Sequence, residues 1–157
     1  MKLYVVRHAH AGSRSSWAGA DHDRPLSKRG QRQAAGIAER LAGAGITRLV
    51  SSPAVRCVQT LEPLAARLGL PVDADERLLE GASGGDALSL AGELCAGGGE
   101  AAVLCSHGDV IPELLRAIKQ ASAVRFDEPV VWPKGSTWTV TWDGRAWTTA
   151  SYAPPPG

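Results

Sequence analysis

The sequence predicts an α/β fold in three layers, with helices on both faces of a mostly parallel central sheet and a β-hairpin at the C-terminal end. Three observations carry that reading. Apolar runs of strand length at 3–6, 46–50 and 101–105 alternate with segments whose apolar residues recur at helical spacing. Each run ends at once in polar or ionisable residues, as buried strands do at the edge of an open sheet. The last third changes character: 137–142 and 145–152 alternate with period two around Asp143-Gly144, a dipeptide favoured in two-residue hairpin turns. A chain of 157 residues is long enough to cover such a sheet, so 1–157 reads as a single domain.

In chain order, Lys2-Leu3-Tyr4-Val5-Val6 is the first strand and closes in Arg7-His8. A polar loop rich in Gly and Ser follows to Asp23. Ser27 is then an N-cap, and Ala34, Ile37, Ala38 and Leu41 share one face of a helix over about 28–43. Ile46 to Val50 is the second strand. Pro53 suits a helix first turn, and Ala54, Cys57 or Val58, Leu61, Ala65 and Leu68 give the next helix its apolar stripe. A weaker strand falls within 71–78 and a short helix over 86–96. Ala101 to Ser106 is a buried strand ending in His107-Gly108, and Val110, Ile111, Leu114, Leu115 and Ile118 mark the helix behind it. Pro154-Pro155-Pro156 reads as a frayed end.

Seventeen Lys and Arg against sixteen Asp and Glu leave a net charge of +1, which gives no reason to expect nucleic acid or a membrane surface as partner. No run approaches the roughly 18 apolar residues of a membrane span. The three cysteines, Cys57, Cys95 and Cys105, are odd in number and lie far apart without a CxxC pair, which fits a reducing compartment. The expected location is the cytoplasm.

Three strand ends share one design: Arg7-His8, Ser52-Pro53 with Arg56 three residues on, and Ser106-His107-Gly108. If the strands are parallel, these ends lie on one edge of the sheet, where helix N-termini near 53 and 108 add partial positive charge. Such a pocket suits a phosphoryl group. Its charge spreads over three oxygens, so it needs several fixed cationic donors and an in-line nucleophile, and a histidine can be that nucleophile.

These blocks, with Asp23-Arg24-Pro25-Leu26-Ser27-Lys28-Arg29-Gly30 between them, resemble the signature of the histidine phosphatase superfamily, whose fold is phosphoglycerate-mutase-like. The resemblance covers nearly the whole chain, with four blocks in order. Its short length and Arg-Pro-Leu block are similar to SixA-type phosphohistidine phosphatases. The segments 9–13, 56–65 and 134–138 look closer still to the domain fused behind Nudix hydrolases in actinobacteria, although this chain has no Nudix portion.

The resemblance implies that His8 becomes phosphohistidine while Arg7, Arg56 and His107 hold the phosphoryl oxygens. It places an acid near Leu79-Glu80-Gly81, making Glu80 the candidate proton donor, with Asp21 and Asp23 as alternatives. His10 and Lys134 are candidate substrate contacts, and Arg14 and Trp17 lie on the expected rim. Ala9 stands where the family usually has glycine, which should narrow the backbone approach to phosphate slightly.

A metal site built from His8, His10 and His107 is the first rival. It would leave Arg7 and Arg56 without purpose and put cations beside a cation, so the expectation is no metal and no cofactor. A phosphate-binding regulatory module that has lost turnover is the alternative, but a decayed site should lack one of His8, Arg7, Arg56 and His107. With no long insertion to act as a lid, a phosphoenzyme should meet water, which favours a phosphatase over a mutase. The substrate is then a phosphorylated small molecule, a nucleotide or a phosphohistidine protein.

Overall fold

The computed structural model describes residues 1–157. Seven strands form one sheet: β1 (Lys2–Arg7), β2 (Ile46–Ser51), β3 (Val72–Ala74), β4 (Ala101–Ser106), β5 (Arg125–Phe126), β6 (Thr137–Trp142) and β7 (Trp147–Ala153). Four helices, α1 (Lys28–Leu41), α2 (Val55–Leu68), α3 (Gly84–Ala96) and α4 (Val110–Ala121), pack on it. The strand order is β3-β2-β4-β1-β6-β7-β5; β1, β2, β3 and β4 run parallel, while β6 is antiparallel to both β1 and β7.

Alternation along β1 divides the core. Leu3 and Val5 face a cluster with Ala87, Leu90, Leu94, Ile111, Leu114 and Ile118 of α3 and α4. Tyr4 and Val6 face Ile37, Leu41, Cys57, Leu61 and Leu64 of α1 and α2. The three layers follow from that two-sided burial, and every residue of β4 at the sheet's centre is buried, as parallel strands covered on both faces are. The chain leaves β1 toward α1 on one face and β4 toward α4 on the other. A crevice therefore opens at the carboxyl ends of these adjacent strands, where such sheets take their ligands.

Several local expectations shift. The Asp143 hairpin loop has four residues instead of two, because Asp143 Oδ1 accepts from the N–H groups of Arg145 and Ala146 and holds the wider turn. Its strands extend the main sheet through β6. Helix α2 begins at Val55 and runs through Pro63, whose ring leaves the Gln59 carbonyl without an i+4 donor. The weak strand shrinks to β3, followed by a single 3₁₀ turn at Glu76–Leu78. The proline tail is not frayed: Arg40 donates to the Pro154 carbonyl, and the Pro156 ring occupies the notch over Gly36 on α1.

Candidate active site

Register brings the three strand ends together. Arg7 lies opposite Ser106, and Ser51 opposite Cys105, so His8, Ser52 and His107 follow on one edge. The ladder continues into the site through the His8 N–H, which donates to the Ser106 carbonyl at 3.0 Å. On the other side, the Gly135 N–H is shared between the Arg7 and His8 carbonyls, both at 3.1 Å, which fixes the backbone of Lys134 beside them.

His8 is buried, and its Nδ1 lies 2.8 Å from the Ala9 carbonyl. A carbonyl only accepts, so Nδ1 carries the proton and Nε2 keeps its lone pair. Burial holds the His8 pKa down to about 3; the Ala9 hydrogen bond opposes this, while His107, Arg56 and Arg7 add to it. Ala9 fits without strain: its N–H donates to Thr60 Oγ1 at 3.0 Å, and it packs with Ala11, Leu26 and Ala34.

His107 stands edge-on to His8, with ring centroids 5.4 Å apart. Its Nδ1 is 3.4 Å from Arg56 Nη2, which can only donate, and its Nε2 is 2.8 Å from Ser52 Oγ. Both nitrogens are thus engaged, and Cys57 Sγ lies 3.6 Å from Nε2. Arg56 is only 1% exposed; its Nη1 and Nη2 donate to the carbonyl and Oδ2 of Asp21 at 2.9 and 3.2 Å. Arg7 Nη1 donates to the Trp132 carbonyl at 3.0 Å, and burial lowers the Arg7 pKa against the raising charges of Asp109 and Glu80. The Nε–H groups of Arg7 and Arg56 are buried without any partner.

A string of ion pairs closes the mouth. Arg14 Nη2 binds Glu80 Oε1 at 2.8 Å and its Nε binds Asp21 Oδ1 at 3.2 Å, while Glu80 Oε2 lies 3.5 Å from Arg56 Nη2. Burial works against ionisation of Asp21, but hydrogen bonding to Arg24 and the charges of Arg56, Arg14 and Arg24 leave its pKa lowered. Exposed Asp23 makes no comparable contact. Arg24, buried in spite of its charge, donates to the Ala11 carbonyl at 2.8 Å and pins the first loop.

Lys134 is half-buried and has no acidic partner; burial and the charges of Arg7, Arg24, Arg56 and Arg14 lower its pKa. His10 is committed through Nδ1 to Ser27 Oγ, at 2.7 Å, which ties it to the start of α1. Trp17 is exposed, with Nε1 donating to the Ala20 carbonyl. Beside Arg7 the surface opens over Val130, Val131, Trp132 and Pro133. No three His, Cys, Asp or Glu side chains converge in an arrangement that could hold a metal ion.

Residues 3–87 match the histidine phosphatase superfamily, branch 1. The chain belongs to the histidine phosphatase superfamily. It is 38% identical over 156 residues to the 8-oxo-(d)GTP phosphatase of Mycolicibacterium smegmatis, an alignment that spans 98% of this chain and 48% of that protein. A probable phosphoglycerate mutase of Proteus mirabilis is 38% identical over 85 residues, or 51% of this chain and 38% of the relative. The chain thus spans half or less of the length of these curated relatives. In fold it is similar to the protein histidine phosphatase SixA solved with tungstate, with a TM-score of 0.79, 23% identity and coverage of 98% and 95% of the two chains.

Ser52, Thr60, Ser106 and Asp109 were not singled out as site residues from the sequence. Ser52 and Ser106 could have been, since Ser106 closes β4 and Ser52 directly follows β2. Asp109 carried a fainter signal, as a carboxylate inside a block of cationic character.

Proposed function

We propose that this domain is a phosphatase that hydrolyses phosphomonoesters or phosphohistidine through a covalent phosphohistidine on His8. The observation that carries the reading is the pair of buried Nε–H donors on Arg7 and Arg56 that lack any partner beside His8. An unpaired buried donor costs about 1–3 kcal/mol, and a bound tetrahedral oxyanion removes that cost. Tungstate, bound by the SixA neighbour, is such an anion.

His8 Nε2 attacks phosphorus, and the bond to the leaving oxygen or nitrogen breaks. Because burial keeps His8 neutral, the lone pair is available at neutral pH. Arg7 and Arg56 match the charge on the transferring oxygens, and His107, with its Nδ1 3.4 Å from Arg56 Nη2, steadies Arg56. Glu80 at the mouth gives a proton to an alkoxide leaving group and then takes one from the water that attacks phosphohistidine. Lys134, without an acidic partner beside Arg7, contacts the anionic substrate, and His10, in the loop after β1, is the second candidate contact. Each step uses protein groups alone, so turnover should survive a chelator. The open apolar surface beside Arg7 leaves room for a large leaving group, so nucleotides and phosphohistidine peptides, as well as small esters, are the substrates to compare.

Acid-free quenching with labelled substrate should trap phosphate on His8 as a bond labile to acid and stable to alkali. Turnover that continues in His8→Ala, or label on another residue, would overturn the mechanism.

A further inference from the structure

Asp109 stands at the start of α4, where an aspartate usually caps its own helix, yet its side chain makes no cap. Its Oδ2 instead accepts from the Gly81 N–H at 2.7 Å, across 28 residues of chain. A second tie lies close by: Ser106 Oγ donates to the Leu78 carbonyl at 2.7 Å. Leu78 is itself fully buried in the core. The end of β4 and the start of α4 therefore grip the 78–81 segment on both sides of Glu80. Gly81 is at φ +87°, a conformation open to glycine that turns its N–H toward Asp109.

Glu80 needs such support. Its side chain is 42% exposed, and its only ion-pair partners are the exposed Arg14 and the Nη2 of Arg56. A flexible acid loses efficiency, because proton transfer demands hydrogen-bond reach to the leaving atom.

We propose that Asp109 is a positioning residue for Glu80: by holding the Gly81 amide it sets the acid where the leaving group departs, and it governs reactions that need that proton. The proposal rests on the reading of Glu80 as the acid. A competing role is open to the same carboxylate, since its charge also faces Arg7 and Arg14. The two roles separate by substitution. Asp109→Asn keeps an acceptor for the Gly81 amide and removes the charge, whereas Asp109→Ala removes both.

The test compares Asp109→Ala, Asp109→Asn, Glu80→Gln and the Asp109→Ala/Glu80→Gln double variant on alkyl phosphates and on a dinitrophenyl phosphate, whose leaving group is stable as an anion. Circular dichroism and thermal unfolding check each fold. Asp109→Ala should lower kcat/KM on alkyl phosphates, which reports the phosphorylation step, by roughly tenfold to a hundredfold, the scale of an ångström-size misplacement. It should leave kcat/KM on the dinitrophenyl ester within about threefold, since phosphorylation by that ester needs no proton from Glu80. Asp109→Asn should recover most of the alkyl rate, and the double variant should be no slower than Glu80→Gln, since the two residues act as one unit.

Equal losses of kcat/KM on both esters, no recovery with Asn, or losses that multiply in the double variant would overturn the role of Asp109 while leaving Glu80 as the acid. If Glu80→Gln itself shows no dependence on the leaving group, the acid reading fails and Asp109's role fails with it. Should Asp109→Ala not fold, Asp109→Asn set against Asp109→Ser, which shortens the reach to Gly81, carries the same comparison.

Discussion

Two neighbouring strands are each followed at once by a histidine, yet the fold surrounds the two rings differently. At the end of β1, His8 spends one nitrogen on a carbonyl from its own chain neighbour and keeps the other free. At the end of β4, His107 has Ser52 on one nitrogen and Arg56 on the other. Both are buried, and they sit 5.4 Å apart, so exposure does not distinguish them. The difference lies in which partners the fold supplies. A backbone carbonyl fixes a tautomer and leaves the other nitrogen's lone pair free, whereas a hydroxyl together with a guanidinium occupies both nitrogens; in the proposed mechanism the first ring is the nucleophile and the second a brace.

The sharpest way to break that comparison is to remove each ring in turn. His8→Ala should abolish turnover and labelling. His107→Ala should slow both phosphorylation and dephosphorylation while still permitting some label on His8, because Arg56 loses a support and the nucleophile stays. Rapid-quench measurement of phosphoenzyme in the two variants checks this, and label that persists in His8→Ala would reverse the assignment.

Next in size are the arginines. Arg7→Ala or Arg56→Ala should each cost about 2.7–4 kcal/mol of transition-state stabilisation in kcat/KM, the scale for one preorganised donor. Arg56 should be the more damaging to fold as well, because its loss leaves Asp21 without the donor that meets its carbonyl and Oδ2. Near-normal kcat/KM in either variant would mean that its orphaned Nε–H does not face the substrate.

How far these two strand ends could be read from sequence depends on the distance over which each feature is determined. An apolar run followed by Arg7-His8 or Ser106-His107-Gly108 is local, and parallel pairing then fixes where both ends go. The hairpin strands and the helical stripes were legible for the same reason. The partners that separate the two histidines were not: Ser52 to His107 spans 55 residues, Arg56 to Asp21 spans 35 and Arg14 to Glu80 spans 66. The cause of the low His8 pKa was likewise hidden. Nearby guanidinium groups are visible in the sequence, but burial, which acts more strongly, depends on the whole packed site. Proline gave mixed guidance, since Pro53 sits just before α2 while Pro63 lies inside it.

A smaller effect tests the Arg7 side of the site. A Cβ at Gly108 would stand 2.6 Å from Arg7 Cζ, too close for both to keep their places. Because the atom displaced is the end of a long side chain, Gly108→Ala should cost little stability. The shifted guanidinium should nevertheless lower kcat/KM by about tenfold to a hundredfold, as sub-ångström to ångström misplacements do. A variant with unchanged kinetics and a markedly lower Tm would show Gly108 to be a packing requirement alone.

The last effect is on stability instead of turnover, and it asks whether His8 is held neutral. Its folded pKa of about 3 lies below the ordinary 6.5, so between these values the unfolded chain binds a proton that the folded one refuses. Stability is therefore fully present above about pH 6.5 and is lost as pH falls toward about 3. At about 1.4 kcal/mol per unit, the loss attributable to this group between pH 7.5 and pH 5 is on the order of 2 kcal/mol. His8→Gln keeps a polar side chain of similar reach and removes the titration, while carboxylates elsewhere affect both proteins alike. Urea unfolding at the two pH values should therefore show the native protein losing about 2 kcal/mol more than the variant. Equal losses would mean that His8 accepts a proton in the folded state as readily as in water, and the difference drawn between the two strand ends would then disappear.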